Sequence, residues 1–111
     1  MTTHSRYFAD FDVAGMRYWD GALVLEELKA GMALELEAEP DNPFDPDAVA
    51  LCWEGTKIGY LPREVNTLPA LLLRFGHDDV LECRILCVNR EATTWKQIHA
   101  GLYVTDQSDD E

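Results

Sequence analysis

Basic residues are scarce in this chain: nine Lys and Arg stand against 21 Asp and Glu, a formal net charge of −12. Phosphate contacts dominate nucleic-acid affinity, so an acidic chain meets long-range repulsion from a polyanion before any contact forms. Diffuse binding of nucleic acid over the surface is thereby excluded, and any such site has to be local, concentrated at a few cations. Cysteine is also sparse, with only Cys52, Cys83 and Cys87. Cys83 and Cys87 fall in an apolar, strand-like run where both side chains point the same way, so buried, reduced thiols are expected. No His or third Cys has ligand-like spacing, and His4, His77 and His99 fit no metal motif or Cys-His nucleophile, so neither metal nor cofactor is expected. Phosphate-binding loops and helicase motifs are missing, which leaves the chain without a motor of its own. No apolar run approaches the roughly 18 residues of a membrane span, and no basic region followed by an apolar core opens the chain. The expectation is a cytoplasmic protein with no membrane role.

What is present is enough apolar material for one core. The 111 residues are 47% hydrophobic, sufficient for a single domain without disulfides or metal. That domain is expected over residues 6–105. Residues 1–5 read as a flexible start and residues 106–111 as an acidic tail, with four acids in six positions.

Alternation supplies most of the elements. Arg6 to Met16 reads as a first strand through Tyr7, Phe8, Phe11 and Val13, ending at a bend by Gly15, with a turn near Asp20-Gly21 beyond. Ala22 to Lys29 suits one or two helical turns closed by Gly31. In Met32 to Glu39, Leu34, Leu36 and Ala38 alternate with Glu35, Glu37 and Glu39, a half-buried strand with one acidic, solvated face. Ala48 to Trp53 and Thr56 to Leu61 form a hairpin around Glu54-Gly55. Glu64 to Phe75 is helical with Leu68, Leu71, Leu72 and Phe75 on one face, and Pro69 demands a fresh start near Thr67 or a kink. Asp79 to Asn89 carries Leu81, Cys83, Ile85 and Cys87 on one side. Trp95 opens the last strand, in which Ile98, Ala100, Leu102 and Val104 alternate with His99, Gly101 and Tyr103. About six short, mostly sequential strands and one or two helices favour a small, closed or nearly closed six-stranded barrel, mainly β with helices.

The stretch from Glu39 to Leu61 organises the rest. Between Pro40 and Asp47, three prolines and four Asx residues occupy eight positions. Proline fixes φ, removes a donor and pushes its predecessor to extended geometry, so this is neither helix nor central strand. Asx side chains can hydrogen-bond back to nearby amides, giving an ordered loop that presents Phe44 and Asp45 outward. An aromatic beside a carboxylate on stiff backbone is a recognition surface. Asp41, Asn42, Asp45 and Asp47 are spaced faintly like a calcium loop, but prolines interrupt them and the closing glutamate is absent.

Three ordered blocks carry a resemblance: Val13-Ala14-Gly15-Met16-Arg17-Tyr18, Asn42-Pro43-Phe44-Asp45-Pro46-Asp47-Ala48-Val49 and Ile58-Gly59-Tyr60-Leu61-Pro62-Arg63. Together they resemble the HIRAN domain over roughly residues 8 to 104. The resemblance implies an OB-like barrel that binds the 3′ end of single-stranded DNA and acts with a helicase or nuclease partner. Carried over by position, Tyr18 and Phe44 would stack terminal bases, Asp45 would accept from the 3′-hydroxyl and Arg17 would contact phosphate. Asn42 would hold the loop and could touch a base edge, Arg63 would support the backbone, and Trp95 stands near a further aromatic. Phe44 replaces a tyrosine of the remodeller members, and Tyr60 stands where those can carry a polar reader of the base. Lys57 reads as an exposed hairpin lysine.

Two readings follow. One is a non-enzymatic module that binds single-stranded DNA ends. The other is a protein-interaction module whose rigid loop docks a basic partner, favoured by the net charge.

Overall fold

A computed structural model describes residues 4–15, 24–92 and 97–106. Six strands make one antiparallel sheet: β1 (His4–Asp12), β2 (Ala33–Ala38), β3 (Val49–Trp53), β4 (Thr56–Tyr60), β5 (Leu81–Val88) and β6 (Ile98–Asp106). Their spatial order is β1-β6-β5-β2-β3-β4. The two ends of that order meet. Beyond β1, Val13 N still donates to Ile98 O (2.9 Å), and then the chain crosses over: Ala14 N donates to Tyr60 O (2.9 Å) and Tyr60 N to Ala14 O (2.8 Å). Among the described residues, this bridge closes the sheet into the expected small barrel.

The hairpin of β3 and β4 turns at Glu54 and Gly55, both with positive φ (47° and 83°), the geometry that matches the twist of the flanking strands. Pairing of β1 with β6 runs out to His4 opposite Asp106, two residues before the strand start expected at Arg6. Side chains from all six strands fill the interior, among them Phe11, Leu34, Leu51, Ile58, Ile85 and Leu102, each at most 6% exposed.

Bulges decide where alternation fails. Cys83 and Ile85 point inward, but the register of β5 against β6 shifts between Ile85 and Cys87, so Leu86 and Cys87 are exposed and Val88 packs on the core. The expected burial of Cys87 beside Cys83 is therefore corrected: an extra residue in the strand reverses which face follows. Burial pushes the Cys83 thiol up to about 12. A second bulge, between Tyr7 and Ala9, leaves Tyr7 and Phe8 outside while Phe11 turns in.

The helix α1 (Thr67–Arg74) starts afresh after a 3₁₀ turn at Arg63–Val65, with Pro69 in its first turn, where a missing N–H costs nothing. It ends at Gly76 (φ 84°), with Gly76 N on Leu73 O (3.2 Å) and His77 N on Leu72 O (2.8 Å). Pro69, Ala70 and Leu73 face the barrel, while Leu68, Leu71 and Phe75 are exposed. The apolar stripe read from the sequence exists, but small Ala70 and compact Pro69 are the side that seats the helix. In the stretch 22–29, a 3₁₀ turn spans Leu25–Glu27 and delivers Leu25 and Leu28 to the core.

Candidate nucleic-acid interface

Residues 39–47 leave β2 as two linked turns, Asn42 N donating to Glu39 O (3.0 Å) and Ala48 N to Asp45 O (3.0 Å). The Asx side chains do what their spacing suggests. Asn42 Oδ1 accepts from Phe44 N (2.8 Å) and Asp45 N (3.2 Å), and Asp45 Oδ1 accepts from Asp47 N (2.9 Å). Donors from beyond β4 then pin the loop to the domain. Arg63 Nη2 donates to Phe44 O (2.9 Å), and Asn66 Nδ2, at the start of α1, donates to Asp45 Oδ2 (2.9 Å). Arg63 Nε lies 3.6 Å from the same Asp45 oxygen. The Asp47 amide, helped by Asn66 and the Arg63 charge, outweighs slight burial and holds the Asp45 carboxyl below its ordinary range. With its backbone held on both sides, Phe44 projects its ring into solvent, 84% exposed.

Under this loop lies a cleft of about 1100 Å³, mostly apolar, walled by Ala14, Ala38, Pro43, Phe44, Leu61 and Pro62. The barrel-closing residues Ala14 and Tyr60 both line it. Its polar interior is one cluster. Glu39 Oε1 accepts from Asn42 Nδ2 (3.1 Å) and Tyr60 OH (2.9 Å), Glu39 Oε2 accepts from Lys57 Nζ, and Lys57 Nζ also donates to Tyr60 OH (3.2 Å). Partial burial pushes the Glu39 carboxyl up, but hydrogen bonds from Lys57, Asn42 and Tyr60 and the Lys57 charge prevail, leaving it lowered.

Among the site residues proposed from sequence, the structure gathers Asn42, Phe44, Asp45, Tyr60 and Arg63 around one cleft. Arg17, Tyr18 and Trp95 lie outside the described residues. Two expectations are corrected. Lys57 is no free hairpin lysine: with its side chain 24% exposed, it is drawn into the cleft by Glu39 and Tyr60. Glu39 does not continue the solvated face of β2, because the strand ends at Ala38 and the turn swings its carboxylate inward. Sequence reasoning also missed Asn66, which lies 21 residues from the carboxylate it holds and whose position before a helix suggests a cap. For Glu39 a local signal existed, since it stands three residues before Asn42 in the turn that their side chains close.

The site's charge is mixed. Glu39, Asp41 and Asp45 line it with Lys57 and Arg63, three carboxylates against two cations, and each cation already faces a carboxylate. Such a cleft admits an uncharged, flat apolar group and repels a phosphate from its interior. The exposed guanidinium of Arg63, with its side chain 73% accessible at the rim, is where a phosphate can be met.

No curated protein matches the chain in sequence. Two solved structures share its fold. A crystal structure of a protein from Lactobacillus plantarum, 23% identical, superposes with a TM-score of 0.78 over 96% of this chain and 100% of that one. The crystal structure of the HIRAN domain of human HLTF, 17% identical, does so with a TM-score of 0.69 over 95% of this chain and 82% of that one. The family model of the HIRAN domain matches residues 7–105, reaching into all six strands and covering the loop at the cleft, so the chain belongs to the HIRAN domain family, known as DNA-binding modules.

Proposed function

We propose that the chain binds single-stranded DNA at a free 3′-hydroxyl end and positions a partner DNA-processing enzyme there. The observation that carries this is the pinned loop: Phe44 exposed on a held backbone, Asp45 beside it and Arg63 at the rim of an apolar cleft. Phe44 offers a face for a base, a contact that tolerates any sequence and contributes about 1–3 kcal/mol per stacked base. Asp45 is ionised and has acceptor capacity beyond the amides that hold it, so it suits a hydroxyl and repels a terminal phosphate. Arg17 and Tyr18 complete this reading as phosphate contact and second stacking face; Ala14, three residues before Arg17, lines the cleft. Trp95 is a further stacking candidate on the same reading.

Fluorescence anisotropy at low salt tests it, comparing one short strand with a 3′-hydroxyl and with a 3′-phosphate. The hydroxyl strand is expected to bind tighter, by roughly ten-fold, with the difference lost in Asp45→Ala. Equal binding of both strands removes end recognition from the proposal. Absence of binding to either favours the basic-partner reading, which the charge of −12 and the three carboxylates at the cleft support.

A further inference from the structure

Among the described residues, β1 has a strand beside it along one edge only. Val13 N donates to Ile98 O of β6, and Ala14 N, one residue on, donates to Tyr60 O on the opposite side. Backbone groups of an antiparallel strand alternate between its two edges. The register against β6 is unbroken from Ala9 to Asp12, so Asp10 and Asp12 turn their N–H and C=O to the Ala14 side. No backbone group of the described residues meets them there. Pro62 is the reason. Leu61 N still donates to Val49 O of β3 (3.0 Å), but proline then fixes its own φ and the chain leaves as the 3₁₀ turn Arg63–Val65 instead of running on beside β1. An open row of donors and acceptors is a template for an extended polypeptide.

Side chains along that edge specify the charge of the segment. Tyr7 is 59% exposed, and the Asp10 and Asp12 side chains are 45% and 42% exposed. Asp12 accepts from His99 on Oδ1, and its Oδ2 has no partner among the described residues. The same sheet face shows what such a surface holds. Arg84 Nε of β5 donates to Glu82 Oε2 (2.8 Å), and its guanidinium stands 5.9 Å from the centre of the Tyr103 ring on β6. On β1, Tyr7 and Asp10 repeat the tyrosine and the carboxylate, with the Tyr7 ring edge-on to Tyr103 at 6.3 Å. No Lys or Arg of the described residues lies over Tyr7. We infer that the open edge of β1 accepts an extended, basic segment of a partner protein as a seventh strand, its Lys or Arg side chains meeting Tyr7, Asp10 and Asp12 as Arg84 meets Tyr103 and Glu82. A nucleic-acid strand lacks the amide row and meets two carboxylates here. This surface is separate from the cleft, and the inference stands without the DNA-end reading.

Three capped heptapeptides test it on the isotope-labelled protein by nuclear magnetic resonance. The first alternates lysine with threonine, the second is the same with every backbone nitrogen methylated, and the third has glutamate in place of lysine. The first is expected to slow deuterium exchange at the Asp10 and Asp12 amides and to shift the Tyr7 signals. The methylated peptide keeps the charge but cannot donate, and is expected to bind more weakly by roughly ten-fold. The glutamate peptide is expected to leave the spectrum unchanged. In Tyr7→Ala the lysine peptide should weaken by roughly three-fold, the loss of one exposed cation–π contact. Unchanged exchange at Asp10 and Asp12 with the lysine peptide at millimolar concentration overturns the inference. Equal binding of the methylated peptide also overturns it, since the attraction is then ionic alone. Changes confined to Phe44 and Asp45 place a basic partner at the loop instead and overturn it as well. The peptides decide the matter in the unmodified protein, whatever the variant does.

Discussion

The loop at the cleft and the outer face of β1 and β6 are both held by carboxylates, yet in opposite ways. At the loop, Asp45 and Glu39 accept from donors supplied by distant parts of the chain, Asn66, Lys57 and Tyr60, with the Arg63 charge beside Asp45, and stay ionised below their ordinary range. On the outer face, His99 stands between Asp12 (Nδ1 to Oδ1, 2.9 Å) and Asp10 (Nε2 to Oδ1, 3.2 Å), with Tyr7 OH donating to Asp10 (3.1 Å). Only an imidazolium donates from both ring nitrogens. The Asp12 hydrogen bond raises the His99 pKa, slight burial opposes it and Asp10 adds to the rise. The first region is fixed throughout the neutral range, whereas the second is a clasp whose grip changes within it.

Breaking the first region should have the largest effect. Asn66 is 3% exposed, and Asn66→Ala removes the donor it gives to an ionised carboxylate. A loss of about 2 kcal/mol is expected in urea unfolding, with weaker DNA binding because Asp45 and Phe44 lose their anchor to α1. A variant as stable as the parent would mean that the loop holds itself. Asn42→Ala comes next. Its amide serves two loop N–H groups and Glu39, but water can replace part of this, so about 1 kcal/mol is expected.

The clasp should respond least, and with the opposite dependence on pH. His99 has a raised pKa, so its contribution is full below about 6.5, the ordinary value, and fades as pH rises through the folded one. His99→Gln should therefore cost no more than about 1 kcal/mol near pH 6, the side chain being 38% exposed, and almost nothing near pH 9. A cost independent of pH would show that packing, not charge, matters there. Glu39 and Asp45 have lowered values, so their contribution is present above about 4 and is lost as pH falls through the folded ones. Acid should thus loosen the cleft.

The two regions also differ in how far the sequence foretold them. Prolines and Asx residues restrict their own backbone and that of their neighbours, so the ordered loop from Pro40 to Asp47 is readable directly, as is the Glu54-Gly55 turn, while Pro69 left a helix start near Thr67 or a kink open and the structure has the start. Long-range donors leave no such local trace. Asn66 meets Asp45 only because α1 packs beside the loop, and Lys57 turns inward only because Glu39 leaves the plane of β2. The bulges in β1 and β5 escape for a related reason: alternation assumes a fixed period, and one inserted residue reverses every position after it, as Cys87 shows.

The bridge between Ala14 and Tyr60 gives the barrel a thin seam: among the described residues two hydrogen bonds join the strands there, whereas β1 and β6 are paired along their lengths. Local opening follows the least-supported hydrogen bonds, so slow exchange with solvent deuterium should begin at these two amides well before the β5 and β6 ladder. The same two residues wall the cleft, and a molecule lodged there leans on both sides of the seam. Occupancy of the cleft becomes readable far from any label on the ligand, as a slowing of exchange at this seam.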